Sequence, residues 1–180
     1  MGRPTTLRPF ICDGSPYDCH VFIVGFNPAT DSNTDFWTFW DNERGFDKRA
    51  WYENYLRDRK NRPLKPGKTR RNAVSNTRRV MNWIEEEAQS VRFLETNIYS
   101  SATEEARDLS ISNRTTKAFD YLMSELTPVL ILAHGDDAIG HLRSSVDSSK
   151  LRALSHFSRK WSEAGARELG RDIAIEIGNG

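Results

Sequence analysis

Four polar side chains in this sequence come directly after apolar runs of the kind that form buried strands. They are Asn27, Asn97, His134 and His156. A carboxamide can donate and accept hydrogen bonds at the same time, and an imidazole can donate or take up a proton near neutral pH. Such groups could hold a water molecule and stabilise negative charge that develops on a leaving group. The residue types therefore indicate chemistry that proceeds with amides, histidine and water.

Sequence motifs for stronger nucleophiles or for cofactors are absent. The chain has no G-x-S-x-G elbow, no Walker P-loop and no G-x-G-x-x-G turn. Cys12 and Cys19 are spaced C-x6-C and His20 follows, which could be half of a metal site. Two thiols without a second pair are more typical of free, buried cysteines. We therefore expect neither a cofactor nor a metal.

The elements that must position these side chains alternate along the chain. The pattern predicts strands over residues 21–26, 91–96, 128–133 and 150–155, and helices over 71–88, 114–126 and 158–170. A further helix opens at Asp136 or Asp137 as its N-cap. Runs that are apolar throughout are typical of parallel strands covered by helices on both faces. The sequence predicts an α/β fold, a three-layer α/β/α sandwich with a central, mostly parallel four-stranded sheet.

In an open sheet of this type the ligand site lies outside the carboxyl ends of the strands. All four polar side chains follow strand ends, so we expect them to converge on one crevice. The length of 180 residues predicts a single domain over 1–180. No apolar run approaches the roughly 20 residues of a membrane helix, and the start of the chain lacks a signal-peptide pattern. We expect a cytoplasmic monomer.

Positive charge is concentrated in residues 57–79. This segment holds ten of the 26 Lys and Arg residues against one acid, Asp58, although the whole chain carries only +1. The predicted helix 71–88 would carry Arg70 and Arg71 at its positive end and residues 85–87, all Glu, at its negative end. Both choices oppose the helix dipole. The segment is either a solvated charged loop or a phosphate-binding surface.

Three short motifs resemble those of the uracil-DNA glycosylase superfamily. GFNPAT, residues 25–30, is similar to the Gly-x-Asn-Pro form found in the mismatch-specific branch. SHFSRKWS, residues 155–162, is similar to the family's His-Pro-Ser motif, with Phe157 in place of Pro. FLETNIYS places Asn97 where the superfamily commonly carries an asparagine that reads the base. The motifs occur in the family's order and span about residues 20–165.

The resemblance implies a DNA repair enzyme that excises bases. It would hydrolyse the N-glycosidic bond of uracil or of a related deaminated or mismatched base in duplex or single-stranded DNA. Asn27 would hold the attacking water, and His156 would donate a hydrogen bond to the base. Asn97 would read the base edge, with Phe36 and Trp37 as aromatic faces for the flipped base. Phosphate contacts would come from Lys68, Arg70, Arg71 and Ser158.

The sequence also departs from the family's pattern. Phe157 changes the turn that aims His156, and Ala29 replaces the aromatic residue that screens out thymine in the strictest uracil enzymes. Because an amide is not a base, we expect a modest rate unless a carboxylate helps, and Asp31 and Asp35 are the nearest candidates. With only two cysteines, the four-cysteine iron–sulfur branch of the family is excluded.

Two other functions remain open from the sequence. The group His134, Asp136, Asp137 and His141 could hold a divalent metal and so form a metal-dependent hydrolase. The chain could also be a glycosylase-like protein that binds nucleic acid without catalysis. Asn27 and Asn97 could equally be turn and strand-end residues with no role in chemistry.

Overall fold

The computed structural model describes residues 5–29, 34–64, 66–103 and 106–179. Its strands, in chain order, are β1 Phe10–Ile11, β2 Val21–Gly25, β3 Trp40–Asp41, β4 Gly45–Phe46, β5 Phe93–Asn97, β6 Leu130–His134 and β7 Leu151–Leu154. Five of them form the central sheet, in the spatial order β1-β5-β2-β6-β7. The other two, β3 and β4, pair as a small antiparallel ribbon.

The central sheet is mostly parallel, and its four longer strands are the four that the sequence predicts. β2 runs parallel to both β5 and β6, and β6 runs parallel to β7. The predicted number of strands is wrong, because β1 adds a fifth strand antiparallel to β5. β1 is too short to show any alternation in sequence. It is defined only by pairing Phe10 with Thr96 and Ile11 with Glu95.

Five α-helices lie in the described part of the chain. They are α1 Lys48–Asn61, α2 Asn76–Glu87, α3 Lys117–Glu125, α4 Asp136–Leu142 and α5 Glu163–Gly178. Serine side chains cap two of them: the hydroxyl of Ser75 accepts from the Arg78 amide, and that of Ser162 accepts from the Gly165 amide. Such caps satisfy backbone N–H groups that the first turn of a helix leaves without partners.

These caps correct three predicted helix starts. α2 begins after Ser75 and not at residue 71, so Arg70 and Arg71 precede the helix and do not oppose its dipole. α4 is capped by Gly135, and neither Asp136 nor Asp137 is its N-cap. α5 begins five residues later than predicted, at Glu163, because a turn in which the Arg159 amide donates to the His156 carbonyl precedes it.

Strand side chains alternate between two apolar clusters. Val21, Ile23, Leu130 and Leu132 pack with residues of α2 and α5. Phe22, Val24, Ile131 and Ala133 pack with residues of α3, α4 and the aromatic segment 36–51. Since successive side chains of a strand point to opposite faces, the two clusters lie on opposite faces of the sheet. No described helix has the length and apolar character required to cross a membrane.

A buried ion-pair network joins β5 to α1 and α2. The guanidinium of Arg78 donates to both carboxylate oxygens of Glu95, with 2.6 Å from Nη1 to Oε1. The Nζ of Lys48 lies 3.0 Å from the same Oε1 and 2.7 Å from Oε1 of Glu85. Burial alone would raise the pKa of Glu95, but Arg78 and Lys48 lower it far below its ordinary value. Glu95 is therefore a buried carboxylate that two cations keep ionised.

The acidic end of α2 has partners on α5. Arg167 lies 2.7 Å from a carboxylate oxygen of Glu86 and 3.0 Å from one of Glu87, and Arg171 lies 3.2 Å from Glu87. Glu87 is half-buried, and hydrogen bonds from Arg167 lower its pKa. Glu86 and Glu87, although they oppose the dipole of α2, thus bind α5 through ion pairs with Arg167 and Arg171.

Candidate active site

The register of the sheet brings four strand ends to one level. Gly25 pairs with Asn97, Val24 pairs with Ala133, and His134 pairs with Leu154. The segments that carry Asn27, Asn97, His134 and His156 therefore leave the sheet at the same carboxyl edge. The structure brings together the strand ends that the sequence placed in one crevice.

The backbone of Gly25 lies directly beneath polar atoms of two neighbouring strand ends. A Cβ atom at Gly25 would lie 2.7 Å from Oδ1 of Asn97 and 3.0 Å from Nε2 of His134. Both polar atoms thus converge on one point above the Gly25 backbone. Any side chain at this position would displace them, so the first glycine of the Gly-x-Asn-Pro segment is needed to seat Asn97 and His134.

His156 is held beside His134 by its own turn. The two imidazole centroids are 5.1 Å apart at an interplanar angle of 73°. Gly135 has φ of +93°, and a Cβ there would lie 2.8 Å from Cδ2 of His156. A glycine is needed at residue 135 both for its backbone conformation and for the space that the His156 ring occupies.

The hydrogen bonds of His156 fix its tautomer. The backbone N–H of Ser158 donates to Nδ1 of His156 at 3.2 Å, and the Ser158 hydroxyl lies 2.7 Å from the same nitrogen. Since a backbone N–H can only donate, Nδ1 is an acceptor and the proton of the neutral ring is on Nε2. His156 therefore presents an N–H donor at Nε2.

Both imidazoles are neutral near pH 7. Burial, and to a smaller extent the neighbouring His156, lower the pKa of His134 to about 3. The pKa of His156 is also lowered, first by burial and then by the Arg159 cation, while Asp137 opposes the shift. Nδ1 of His134 is buried without a hydrogen-bond partner among the described residues. A buried nitrogen acceptor without a partner costs less free energy than a buried N–H donor without one. The proton of neutral His134 is therefore favoured on Nε2, which faces the crevice.

Phe157 has a role that the motif did not predict. Its ring is 1% exposed and stacks on His134 at 4.4 Å and 12°. Trp161 contacts the same ring edge to face at 5.4 Å. In the motif that this segment resembles, a proline occupies the position of Phe157. Here the Phe157 ring lies in the core, anchors the turn and supports the buried His134.

Asn27 lies in a loop that is tied to the segment after β5. Its Nδ2 donates to Oγ1 of Thr103 at 2.8 Å and to the Pro28 carbonyl at 3.3 Å. Amides of residues 98, 99 and 103 donate to carbonyls of residues 25, 26 and 28. With Nδ2 engaged, no described residue donates to Oδ1 of Asn27, which can accept from a water molecule.

Of the two carboxylates predicted to help Asn27, only Asp35 is among the described residues, and it has a structural role. Oδ1 of Asp35 accepts from the amides of Thr5 at 2.7 Å and Trp37 at 3.4 Å, so Asp35 caps a short helical turn. Asp31 lies outside the described residues. No described carboxylate is therefore assigned to the attacking water.

Of the two predicted stacking residues, Phe36 lies in the core. It is 5% exposed, stacks on Phe46 at 5.4 Å and contacts Phe10 edge to face at 5.2 Å. Its ring has no face for a flipped base, and that prediction is wrong because the aromatic segment closes over the sheet. Trp37 is partly exposed, and its role as a stacking face stays a prediction.

The predicted phosphate contacts are also differently engaged. Lys68 and Arg70 are exposed, whereas Arg71 donates to the carbonyls of Arg59 at 3.1 Å and Arg62 at 2.7 Å and to that of Pro63. Ser158 directs its hydroxyl and its amide at His156. A phosphate contact by Ser158 stays a prediction, and its contact with His156 is an observed one.

The proposed metal cluster does not form. Within the described ranges, no three His, Cys, Asp or Glu side chains come close enough to hold an ion. His134 is buried against Phe157, and the His141 ring contacts Phe119 on α3. Cys12 and Cys19 are free and buried, as the sequence predicts.

A cavity of about 840 Å³ lies away from this crevice. Val91, Arg92 and Phe93 line it, so it opens beside the amino end of β5. Its other lining residues include Lys48, Arg78 and Glu85, whose charges are paired within the network described above. None of the four strand-end polar residues lines it. We take the carboxyl edge, and not this cavity, as the candidate site, because Lys48, Arg78 and Glu85 in the cavity are already paired.

Sequence comparison gives no assignment. No protein-family model matches the chain, and no curated protein matches it. The resemblance to uracil-DNA glycosylases therefore rests on the three motifs and on how the fold arranges them.

His134 should make stability depend on pH. The unfolded chain protonates His134 below its ordinary pKa of 6.5, whereas the folded chain does not until about pH 3. The free energy of unfolding should thus fall as the pH drops below 6.5, by up to about 1.4 kcal/mol per pH unit from this group. His134→Asn should flatten the curve measured by urea unfolding between pH 7 and 4.5. His20→Asn, at an exposed histidine, is the control; parallel curves for wild type and His134→Asn would contradict the assignment.

Proposed function

We propose that this protein is a DNA base-excision glycosylase that hydrolyses the N-glycosidic bond of uracil or a related deaminated or mismatched base. The observation that carries the proposal is the convergence at one sheet edge. There, Oδ1 of Asn97 and Nε2 of His134 meet above Gly25, and His156 lies beside them with its proton on Nε2.

Such an edge suits a reaction in which negative charge develops on a departing base. As the bond from the sugar to the base nitrogen breaks, its electron pair stays with the base and the sugar becomes oxocarbenium-like. Nε2–H of His156 would donate to the base oxygen O2 as charge accumulates there. A preorganised donor in a partly desolvated site is worth more than the same donor in water.

Asn27 would hold the attacking water. Thr103 fixes Nδ2 of Asn27, so Oδ1 can accept one O–H of that water while its oxygen attacks the sugar carbon. The amide does not take up the proton, which passes to solvent after the new bond forms. Without a base at this position, the role of Asn27 is orientation, and the rate should be modest.

Asn97 would read the base. Its carboxamide offers one donor and one acceptor, which match O4 and N3–H of uracil. Cytosine presents the reverse pattern, so Asn97 can distinguish the two bases only if its amide cannot rotate. The position of Oδ1 close above Gly25 limits that rotation.

The finer description of the fold and partner belongs to the same proposal. Two apolar clusters on opposite faces of the sheet favour a three-layer α/β/α sandwich. The exposed Lys68 and Arg70 favour DNA as the partner.

The test is direct. Purified protein is incubated with duplex and single-stranded oligonucleotides that carry uracil, hypoxanthine, xanthine or a thymine mismatch, and abasic sites are scored after alkaline cleavage. Release of at least one base supports the proposal. Binding to the same oligonucleotides without release on any of them would indicate a nucleic-acid-binding protein without catalysis.

Asn97→Asp should change base preference more than it changes DNA affinity. A carboxylate cannot donate to O4, and a protonated one reproduces only part of the original pattern. The measurement is the ratio of release rates across the oligonucleotide panel, with affinity for undamaged duplex as the reference. An unchanged ratio would mean that Asn97 only ends its strand.

A further inference from the structure

A second cavity, of about 580 Å³, lies between the end of α1 and the residues that precede α2. Five cationic residues line it: Arg59, Lys60, Arg62, Arg70 and Arg71. No acidic residue is among the described residues of its lining, which are completed by Leu56, Leu64, Thr69, Asn72 and Ala73. Several other cations of the described residues, such as Lys48, Arg78 and Arg167, do have an acidic partner within salt-bridge distance.

The cationic residues of this cavity differ in their engagement. Arg71 donates to three backbone carbonyls at the end of α1, and Nε of Arg59 donates to the carbonyl of Asn72 at 2.9 Å. These two arginines fasten residues 71–72 to the helix. By contrast, no described residue forms an ion pair or hydrogen bond with the side chain of Lys60 or Arg70, and both are exposed.

The chain topology indicates that the cavity lies toward the end of the sheet that carries the crevice. α2 leads into β5, which is parallel to β2, so the chain must return from the carboxyl edge to the amino edge through α2. Residues 69–73 precede α2 and lie toward its carboxyl-edge end. An anion held there would be on the same side of the molecule as Asn27 and His156.

We infer that this cavity binds one phosphate group of a nucleic acid strand, with Lys60 and Arg70 as its contacts and Arg59 and Arg71 as positioning residues. The inference rests on the proposed function for the identity of the strand. A phosphate held in this cavity would position the DNA relative to the crevice. Phosphate is the fitting class because cations without acid partners recognise a compact oxyanion, and such contacts are independent of base sequence.

The experiment measures binding and needs no turnover. Affinity for a fluorescein-labelled undamaged duplex is followed by anisotropy from 50 to 200 mM KCl, for wild type and Lys60→Gln/Arg70→Gln. Because both residues would contact one phosphate, the slope of log K against log salt should lose about 0.9 in magnitude. Arg143→Gln is the matched control, since Arg143 is an exposed arginine at the far end of α4.

A second arm separates the two sources of phosphate. The same duplex is compared with and without a 5′-phosphate. If only the phosphorylated strand loses affinity in the double variant, the cavity takes a terminal phosphate; if both lose it equally, the cavity takes an internal one. Equal slopes and equal affinities for wild type and the double variant on both strands would overturn the inference.

Two controls keep this result distinct from the proposed function. Thermal melts of wild type and the double variant should agree, because neither side chain forms an ion pair or a hydrogen bond with a described residue. Arg71→Gln should lower the melting temperature by loosening the loop. Asn27→Ala should keep the wild-type salt slope. If the double variant shows the expected smaller salt slope but wild type releases no base, only the glycosylase proposal is contradicted. If wild type releases a base but the double variant keeps the wild-type salt slope, only the phosphate site is contradicted.

Discussion

His156→Ala should lower the single-turnover rate of base release by about 10²–10³ while leaving the fold intact. The size is that expected for the loss of one donor aimed at developing charge. His156 is exposed and is held through the amide and hydroxyl of Ser158, so its removal should cost little stability. The measurement uses saturating protein on the best substrate of the oligonucleotide panel, with thermal melts in parallel.

Three variants sharpen this result. His20→Ala, at an exposed histidine outside the crevice, should keep the wild-type rate. Ser158→Ala removes the hydroxyl but keeps the amide that fixes the tautomer, so it should cost less than His156→Ala. Asn27→Ala should lower the rate at least tenfold through loss of the oriented water. Wild-type turnover by both His156→Ala and Asn27→Ala on every substrate would show that the catalytic assignment is wrong.

Glu95→Gln should lower the free energy of unfolding by about 3–5 kcal/mol, the usual cost of removing one partner from a buried ion pair. The variant keeps the shape of the side chain but removes its charge. Arg78, which is 7% exposed, and Lys48 then have only Glu85 as an acid in the network. The measurement is urea unfolding at pH 7, where wild-type Glu95 is fully ionised because Arg78 and Lys48 lower its pKa.

A surface pair provides the control for Glu95. Arg49 and Glu53 form an i,i+4 pair whose side chains are 90% and 64% exposed, and Glu53→Gln should change stability by less than about 1 kcal/mol. The double variant Arg78→Met/Glu95→Leu removes both charges of the main pair and should lose less stability than Glu95→Gln. If Glu95→Gln is as mild as Glu53→Gln, the network does not hold β5 to α2.

The network also bears on the site, because Glu95 lies two residues before Asn97 on the same strand. Movement of β5 would shift the amide that faces Gly25. We therefore expect any residual folded Glu95→Gln protein to show altered base preference as well as lower stability.

The sequence by itself determined the local features of this protein. Its apolar runs locate β2, β5 and β6 to within two residues, because a strand buried on both faces must be largely apolar. The weaker run at residues 150–155 locates the edge strand β7 to within one residue. The same runs place Asn27, Asn97, His134 and His156 just beyond strand ends. Parallel pairing then requires those ends to share one edge, so the composition of the crevice could be predicted.

Only the tertiary structure decided which of these groups meet and which are engaged elsewhere. The pairing that creates β1, the burial of Phe36 against Phe46 and the use of Arg71 by backbone carbonyls all depend on residues distant in the chain. The support of His134 by Phe157 has no local pattern either, although the position of His134 after its strand was a visible signal. The periodicity of a sequence predicts which face of an element a residue lies on, but contacts between elements decide what that face touches. Here such contacts set the tautomer of His156 and the position of the Asn97 amide above Gly25.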